Sequence, residues 1–324
     1  MKLPLFAYRL LACSLALVAA APAFAADAPK KVLVVTVTMG FRHSSIPTAE
    51  KILTQLAKDS GGKFTVEFVQ QPEVPKPPAR VPPKKANDAS QQDAARAEKE
   101  YWNSVQPQFA AALQKLSPAN LKKYDAVMFV STTGDLPLPD PQGFVDWIAS
   151  GKAFIGVHAA ADTFHQTGRF AGFPPYVSML GAAFKNHGPQ VTVECINQDQ
   201  QHAACHHLPS KWTVFDEIYQ FKQFERPRVH GLLSLEKLQV DNNPQNQVPG
   251  DWPVAWTRTQ GKGRVFYTSL GHREDMWDPT YQTGKEGRKN SPEIAKQFQE
   301  HLLGGLYWAL GIADAAAKSG KQKK

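Results

Sequence analysis

Cysteine is scarce in this chain: three in 324 residues, one of them inside an N-terminal apolar run. A disulfide-dense scaffold is thereby excluded, and only Cys195 and Cys205 remain to close one short loop in an oxidising compartment. Spacing alone does not set a Cα separation, so bridged and free thiols both stay open. The net charge of +8 is scattered and forms no basic stripe, which argues against a nucleic-acid partner. Met39-Gly40-Phe41-Arg42 lacks the glycine spacing of dinucleotide and nucleoside-triphosphate loops. There is no internal repeat and no composition break, so one domain with elaborations is the economical reading.

What is present begins at the N-terminus. Lys2 and Arg9 precede an apolar run, residues 10–21, that is too short to span a bilayer comfortably. Pro22 and Ala23-Phe24-Ala25 follow, the pattern of a secretory signal peptide cut between Ala25 and Ala26. The expected product is exported, periplasmic or secreted, with no stable membrane insertion; an uncleaved anchor is the alternative. Cys13 lies within the run with more apolar residues after it, which disfavours lipidation. Residues 313–324 form a basic tail that reads as solvated and disordered.

Between these ends the pattern is α/β. Residues 31–38 form a β-branched strand, Ser44-Ser45 offers an N-cap, Pro47 sits in a first helical turn, and residues 63–69 alternate as a second strand. A β-α-β opening predicts a doubly wound, mostly parallel sheet. Residues 71–116 read as an insertion, a proline- and lysine-rich loop and then a helix from about 89, which either shapes the rim of a cleft or is ornamental. A third strand ends near Val130, a helix carries residues 144–148, and the run from Ala153 to Val157 predicts a fourth strand. From about 189 the pattern becomes additional strands: 191–196, 211–224, 231–235, 253–258 and 263–269. A last helix covers about 293–310.

The fourth strand ends in His158, followed by Ala159-Ala160-Ala161-Asp162. Small residues after a strand permit a sharp turn, the position where many α/β enzymes lift a nucleophile into a crevice. Here an imidazole stands there with neither Ser nor Cys beside it, which points to proton transfer, polar binding or metal ligation. Ligands of open parallel sheets bind beyond the carboxyl ends of the strands. His43 follows the first strand, Thr132 and Asp135 the third, and His272 the last, so distant segments can converge on one crevice. His187, before a glycine, is a further candidate.

Neutral imidazoles serve as general bases near neutral pH or as ligands for zinc-class metals. Alternation in a strand would turn Asp216 and Glu217 to opposite faces, so that only one reaches a shared site: Glu217, with Tyr219 on its side, is taken as that one, and an ordinary exposed acidic pair is the alternative. His43, His158, His187, His272 and Glu217 could thus hold a divalent metal, although no closely spaced histidine pair demands one. His202, His206 and His207 crowd around Cys205 without a second ligand pair, and read as a loop. Arg42 suits an anion or sugar hydroxyls. Phe41, Phe164, Trp277 and Tyr281 suit stacking on a sugar ring, whereas Trp256 reads as core.

Taken in order, Gly40-Phe41-Arg42-His43, Gly156-Val157-His158-Ala159-Ala160-Ala161-Asp162, Leu180-Gly181-Ala182-Ala183-Phe184 with His187, Asp216-Glu217-Ile218-Tyr219, Pro253-Val254-Ala255-Trp256 and Gly261-Lys262-Gly263-Arg264 through Gly271-His272 resemble the trehalose-utilisation ThuA-like family. The resemblance covers about residues 31–311 and implies a flavodoxin-like fold similar to class I glutamine amidotransferases. Those enzymes use an elbow cysteine with a later His-x-Glu pair. This chain has His272-Arg273-Glu274 but His158 at the elbow, so glutamine amidotransferase chemistry is not expected.

The resemblance further implies carbohydrate metabolism, on a disaccharide or a keto-sugar, by isomerisation, epimerisation, elimination or hydrolysis. The expected catalytic residues are His158, His272 and Glu217. Arg42, His43, Asp162, His187, Tyr219 and Trp277 are expected to bind a small carbohydrate. A non-catalytic sugar-binding protein and a metal-dependent hydrolase of another substrate class are the alternatives.

Overall fold

The computed structural model describes residues 28–78, 88–282 and 287–312. The signal-peptide and basic-tail readings, Cys13, and most of the proline-rich loop fall outside them. The elements, in chain order, are β1 (Lys30–Val35), α1 (Ile46–Asp59), β2 (Phe64–Val69), α2 (Asp88–Ala112), α3 (Pro118–Leu121), β3 (Ala126–Val130), α4 (Pro141–Ala149), β4 (Ala153–Val157), α5 (Pro174–Leu180) and β5 (Ala183–His187). They continue as β6 (Val191–Asn197), β7 (Lys211–Asp216), β8 (Tyr219–Lys222), β9 (His230–Gln239), β10 (Gln247–Gln260), β11 (Gly263–Thr268), α6 (Glu274–Trp277) and α7 (Pro292–Leu310).

Nine strands form one sheet in the order β2-β1-β3-β4-β11-β10-β9-β6-β7. The first five are parallel, and β10, β9, β6 and β7 extend the sheet antiparallel. The fold is α/β and doubly wound, and the expected additional strands of the C-terminal half form its antiparallel wing. Strand alternation explains the winding. Val32, Val34, Met128, Val130 and Ile155 enter the core layer beneath α1 and α7, while Leu33, Val35, Val127, Phe129 and Phe154 enter the opposite layer. Side chains of successive strand residues face opposite sides, so strands apolar at every position need cover on both faces.

The helices supply that cover. The apolar spacing of α1 places Ile46, Ala49, Ile52, Leu53 and Leu56 on one buried face. Against the other face pack Phe144 and Ile148 of α4, with Phe109 of α2. Helix α7 starts at Ser291, whose hydroxyl accepts the Ile294 N–H, and lies close on β11: a Cβ on Gly305 would stand 2.5 Å from Phe266. No described helix is long and apolar enough to cross a membrane.

Two expectations need correction. Residues 211–224 are not one strand: β7 ends at Asp216, and β8 leaves the large sheet to pair with β5. The two-residue break removes the alternation that had set Asp216 and Glu217 on opposite faces. Ser45 does not cap α1; its hydroxyl donates to the Gly271 carbonyl, 3.2 Å away, and ties the start of α1 to the loop after β11. Cys195 and Cys205 are both buried free thiols.

Besides burying Val105 and Phe109 in the core, the insertion's helix α2 is held by Arg169. The Arg169 guanidinium stacks between Trp102 and Phe170, pairs with Glu98 at 2.6 Å, and donates to the Met39 carbonyl. This joins α2 to the loops following β1 and β4.

Candidate metal centre at the strand ends

The carboxyl ends of β1, β4 and β11 deliver three imidazoles to one point. His158 is fully buried with φ +50°, a left-handed conformation that costs a non-glycine residue energy and persists only where its surroundings hold it. Its carbonyl accepts the Tyr267 hydroxyl at 2.8 Å, and its Nδ1 lies 2.7 Å from the Ser269 carbonyl. The small residues on either side let the chain make this bend. A Cβ on Gly156 would meet Tyr267 at 2.9 Å and Leu180 at 3.0 Å.

A carbonyl can only accept, so Nδ1 of His158 carries the proton and Nε2 presents its lone pair. Around that lone pair stand His43 Nε2 at 3.2 Å, Tyr219 Oη at 3.2 Å, His272 Nδ1 at 3.3 Å and Glu217 Oε1 at 3.8 Å. Glu217 Oε1 is also 3.4 Å from His272 Nδ1, and its other oxygen is 3.1 Å from His187 Nδ1. One donor atom from each of His43, His158, His272 and Glu217 lies within 4.8 Å of the others, the only such set among the described residues.

The electrostatics of His43 and His158 suit lone pairs, and those of His272 do not. Burial, then the neighbouring charges of His272 and His187, pull His43 down to about 3. Burial, then His43 and His272, hold His158 well below the ordinary imidazole range. Burial also acts to lower His272, but its bond to Glu217 and the charges of Glu217 and Asp216 prevail and raise it. Burial and the Glu217 charge push the Tyr219 hydroxyl well above its usual value, so it stays a protonated donor.

Beneath the cluster lies a carboxylate that sequence reasoning set aside. Asp216 is fully buried and accepts the N–H of Gly271 at 2.7 Å and of Glu217 at 2.9 Å, and burial raises it to about 6. It thereby orients the residues preceding His272 and the backbone of Glu217. Ser269, also unsuspected, orients His158 through its carbonyl. An acidic residue at a strand end was the only signal for Asp216, and a backbone carbonyl leaves none.

Other expected site residues lie apart. Arg42 donates to the Thr36 carbonyl at 2.7 Å and to Gln71 at 3.3 Å, which directs it to the end of β1. Asp162 pairs with His165 at 2.5 Å. Trp277 is fully buried and donates to the Gly271 carbonyl at 2.9 Å, so a stacking role is corrected to one of holding the His272 loop. His187 is half exposed and stands behind Glu217, outside the four-atom set. Phe41 is 60 % exposed, its ring edge-on to His43. The 202–207 histidines bond to backbone groups of their own turn and of α7, as a loop does.

The sequence model of the ThuA family, described as trehalose utilisation, matches residues 81–284. The chain belongs to the ThuA family. The matched region contains His158, His187, Glu217 and His272, while His43 precedes it. Among solved structures, a ThuA-like protein of Parabacteroides merdae is 18 % identical with a TM-score of 0.56, over 87 % of this chain and 90 % of that one. Another, of Bacteroides uniformis, is 19 % identical with a TM-score of 0.53, over 89 % and 95 %. At such identities the likeness is one of fold. No curated protein matches the chain.

Proposed function

We propose that this ThuA-family chain is an exported carbohydrate-processing enzyme whose His43, His158, His272 and Glu217 hold a divalent metal. The observation that carries the reading is the crowding at His158 Nε2. One lone pair accepts one good hydrogen bond, yet three polar neighbours stand within 3.3 Å of it. A cation shared by three imidazoles and a carboxylate resolves the conflict, and the nitrogen-rich donor set suits zinc-class ions. The His158 Nδ1–H bond to a carbonyl is the outer bond that usually fixes a ligating imidazole.

Bound there, a divalent ion supplies polarisation of a sugar oxygen or a more acidic bound water. The surrounding residues do the rest. Tyr219 offers a protonated hydroxyl beside His158. His187 can pass a proton between a bound sugar and solvent, because it is half exposed and its Nδ1, bonded to the Gly188 carbonyl at 2.8 Å, also lies 3.1 Å from Glu217. Phe41 offers an exposed apolar ring for a sugar face. Acid/base work of this kind contributes about 10²- to 10⁴-fold.

Elemental analysis of the purified protein should find close to one equivalent of metal. Trehalose and its keto derivative, followed by proton NMR, should be converted by the native protein and not after chelation. Sugar binding without conversion would replace the enzyme reading with a binding protein. Metal-dependent activity confined to non-sugar esters or amides would replace the substrate class. N-terminal sequencing of the mature protein should begin at Ala26, in keeping with export.

A further inference from the structure

A cavity of about 700 Å³ opens between α5 and the far end of β8, and none of the four candidate metal donors lines it. That volume is in the range of small-molecule sites. Lys222, Arg228 and Arg258 line it, against a single acid, Glu225. Glu225 is engaged with Arg228 at 3.1 Å, on the exposed side.

Arg258 has no carboxylate within ion-pair distance among the described residues. One of its terminal nitrogens donates to the Ser178 carbonyl, and its Nε is buried without a partner. Burial and then the nearby charge of Arg228 lower its pKa, against a smaller opposing effect of Glu225. A partly desolvated guanidinium beside a second one favours an anion on the side that lines the cavity.

The backbone adds an independent sign. Phe164 and Gln223, both lining the cavity, have φ of +57° and +58°. Such conformations in non-glycine residues gather at ligand clamps. Phe173 gives the wall a half-buried aromatic face.

We propose that this cavity binds an anionic sugar, its carboxylate or phosphate group on Arg258 and Arg228 and its ring against Phe173. A guanidinium holds either group through paired, charge-assisted N–H bonds, which are about twice as strong as those it makes to the hydroxyls of a neutral sugar. The site is separate from the metal centre: β8 carries Tyr219 to one and Lys222 to the other, about 10 Å apart along the strand. It stands whether or not the histidines bind metal.

Isothermal titration with glucuronate, glucose 6-phosphate and glucose tests it. At least one anion should bind ten times more tightly than glucose, and the tighter one distinguishes a carboxylate from a phosphate. Arg258→Gln should weaken that binding at least tenfold. Arg228→Gln, at an exposed position that does not threaten folding, should weaken it severalfold. Arg96→Gln should have no effect, and His158→Gln should leave anion binding intact. Equal affinity for glucose, no binding of either anion, or binding that survives both cavity substitutions together would overturn the assignment.

Discussion

Two groups of histidines in this molecule differ in a way the sequence conceals. His202, His206 and His207 sit within six residues of one another, yet each turns to a backbone partner of its own: the Ala204 N–H, the Ala203 carbonyl and the Gln297 carbonyl. His43, His158 and His272 are more than 110 residues apart in succession, yet their nitrogens meet within 3.3 Å of one atom. Neighbours in a tight turn point outward in different directions. Residues at the ends of parallel strands point into one crevice, because the sheet holds those ends side by side.

The sharpest way to break this comparison is to remove one member from each group. His158→Gln should lower the metal content from about one equivalent to less than a tenth, and turnover by about a thousandfold. His206→Gln should change neither. Equal losses from the two would erase the distinction.

A smaller effect is expected behind the proposed metal centre. His187→Gln removes the imidazole that stands 3.1 Å from Glu217 and should weaken metal affinity by about 10- to 100-fold. Competition with a chromophoric chelator measures it, and an unchanged affinity would detach His187 from the centre.

Acid stability separates buried histidines from solvated ones. Burial holds His301 down to about 3, against 6.5 in the unfolded chain. The unfolded chain therefore takes up the proton first, so stability is complete above pH 6.5 and declines towards pH 3. Replacing His301 by Gln should remove about 2 kcal/mol of the loss between pH 7 and pH 5, at 1.36 kcal/mol per pH unit. Urea unfolding of both proteins at the two pH values reads this difference independently of any uniform cost of substitution.

The smallest effect belongs to the turn. His207→Ala gives up the bond to the Gln297 carbonyl and should cost about 1 kcal/mol in urea, with metal content unchanged.

Much of the fold was legible because strands and helices declare themselves locally. The β-branched runs became β1, β3, β4 and β11, and the spacing of Phe298, Leu302 and Leu306 became the core face of α7. The elbow was legible too, as an apolar strand stopped by a histidine and three alanines. Short elements escaped: α5, β5 and α6 carry little periodicity in so few residues. The break at Glu217–Ile218 escaped as well, since nothing local distinguishes one long strand from two that belong to different sheets. Tertiary pairing with β5 produces that break, and it brings both Glu217 and Tyr219 to His158. Trp277 was misjudged for a related reason, because a tryptophan in a polar loop gives no sign of which way it faces.

The α/β class, the family and the identity of the histidines at the strand ends follow from local pattern and from order along the chain. Three-dimensional packing alone brings His43, His158, His272 and Glu217 to one point, sets Asp216 beneath them, and places Arg258 at a cavity with no ion-pair partner among the described residues. Those are facts of distance, set by strand order and by where β8 leaves the sheet, and one-dimensional spacing carries no record of either.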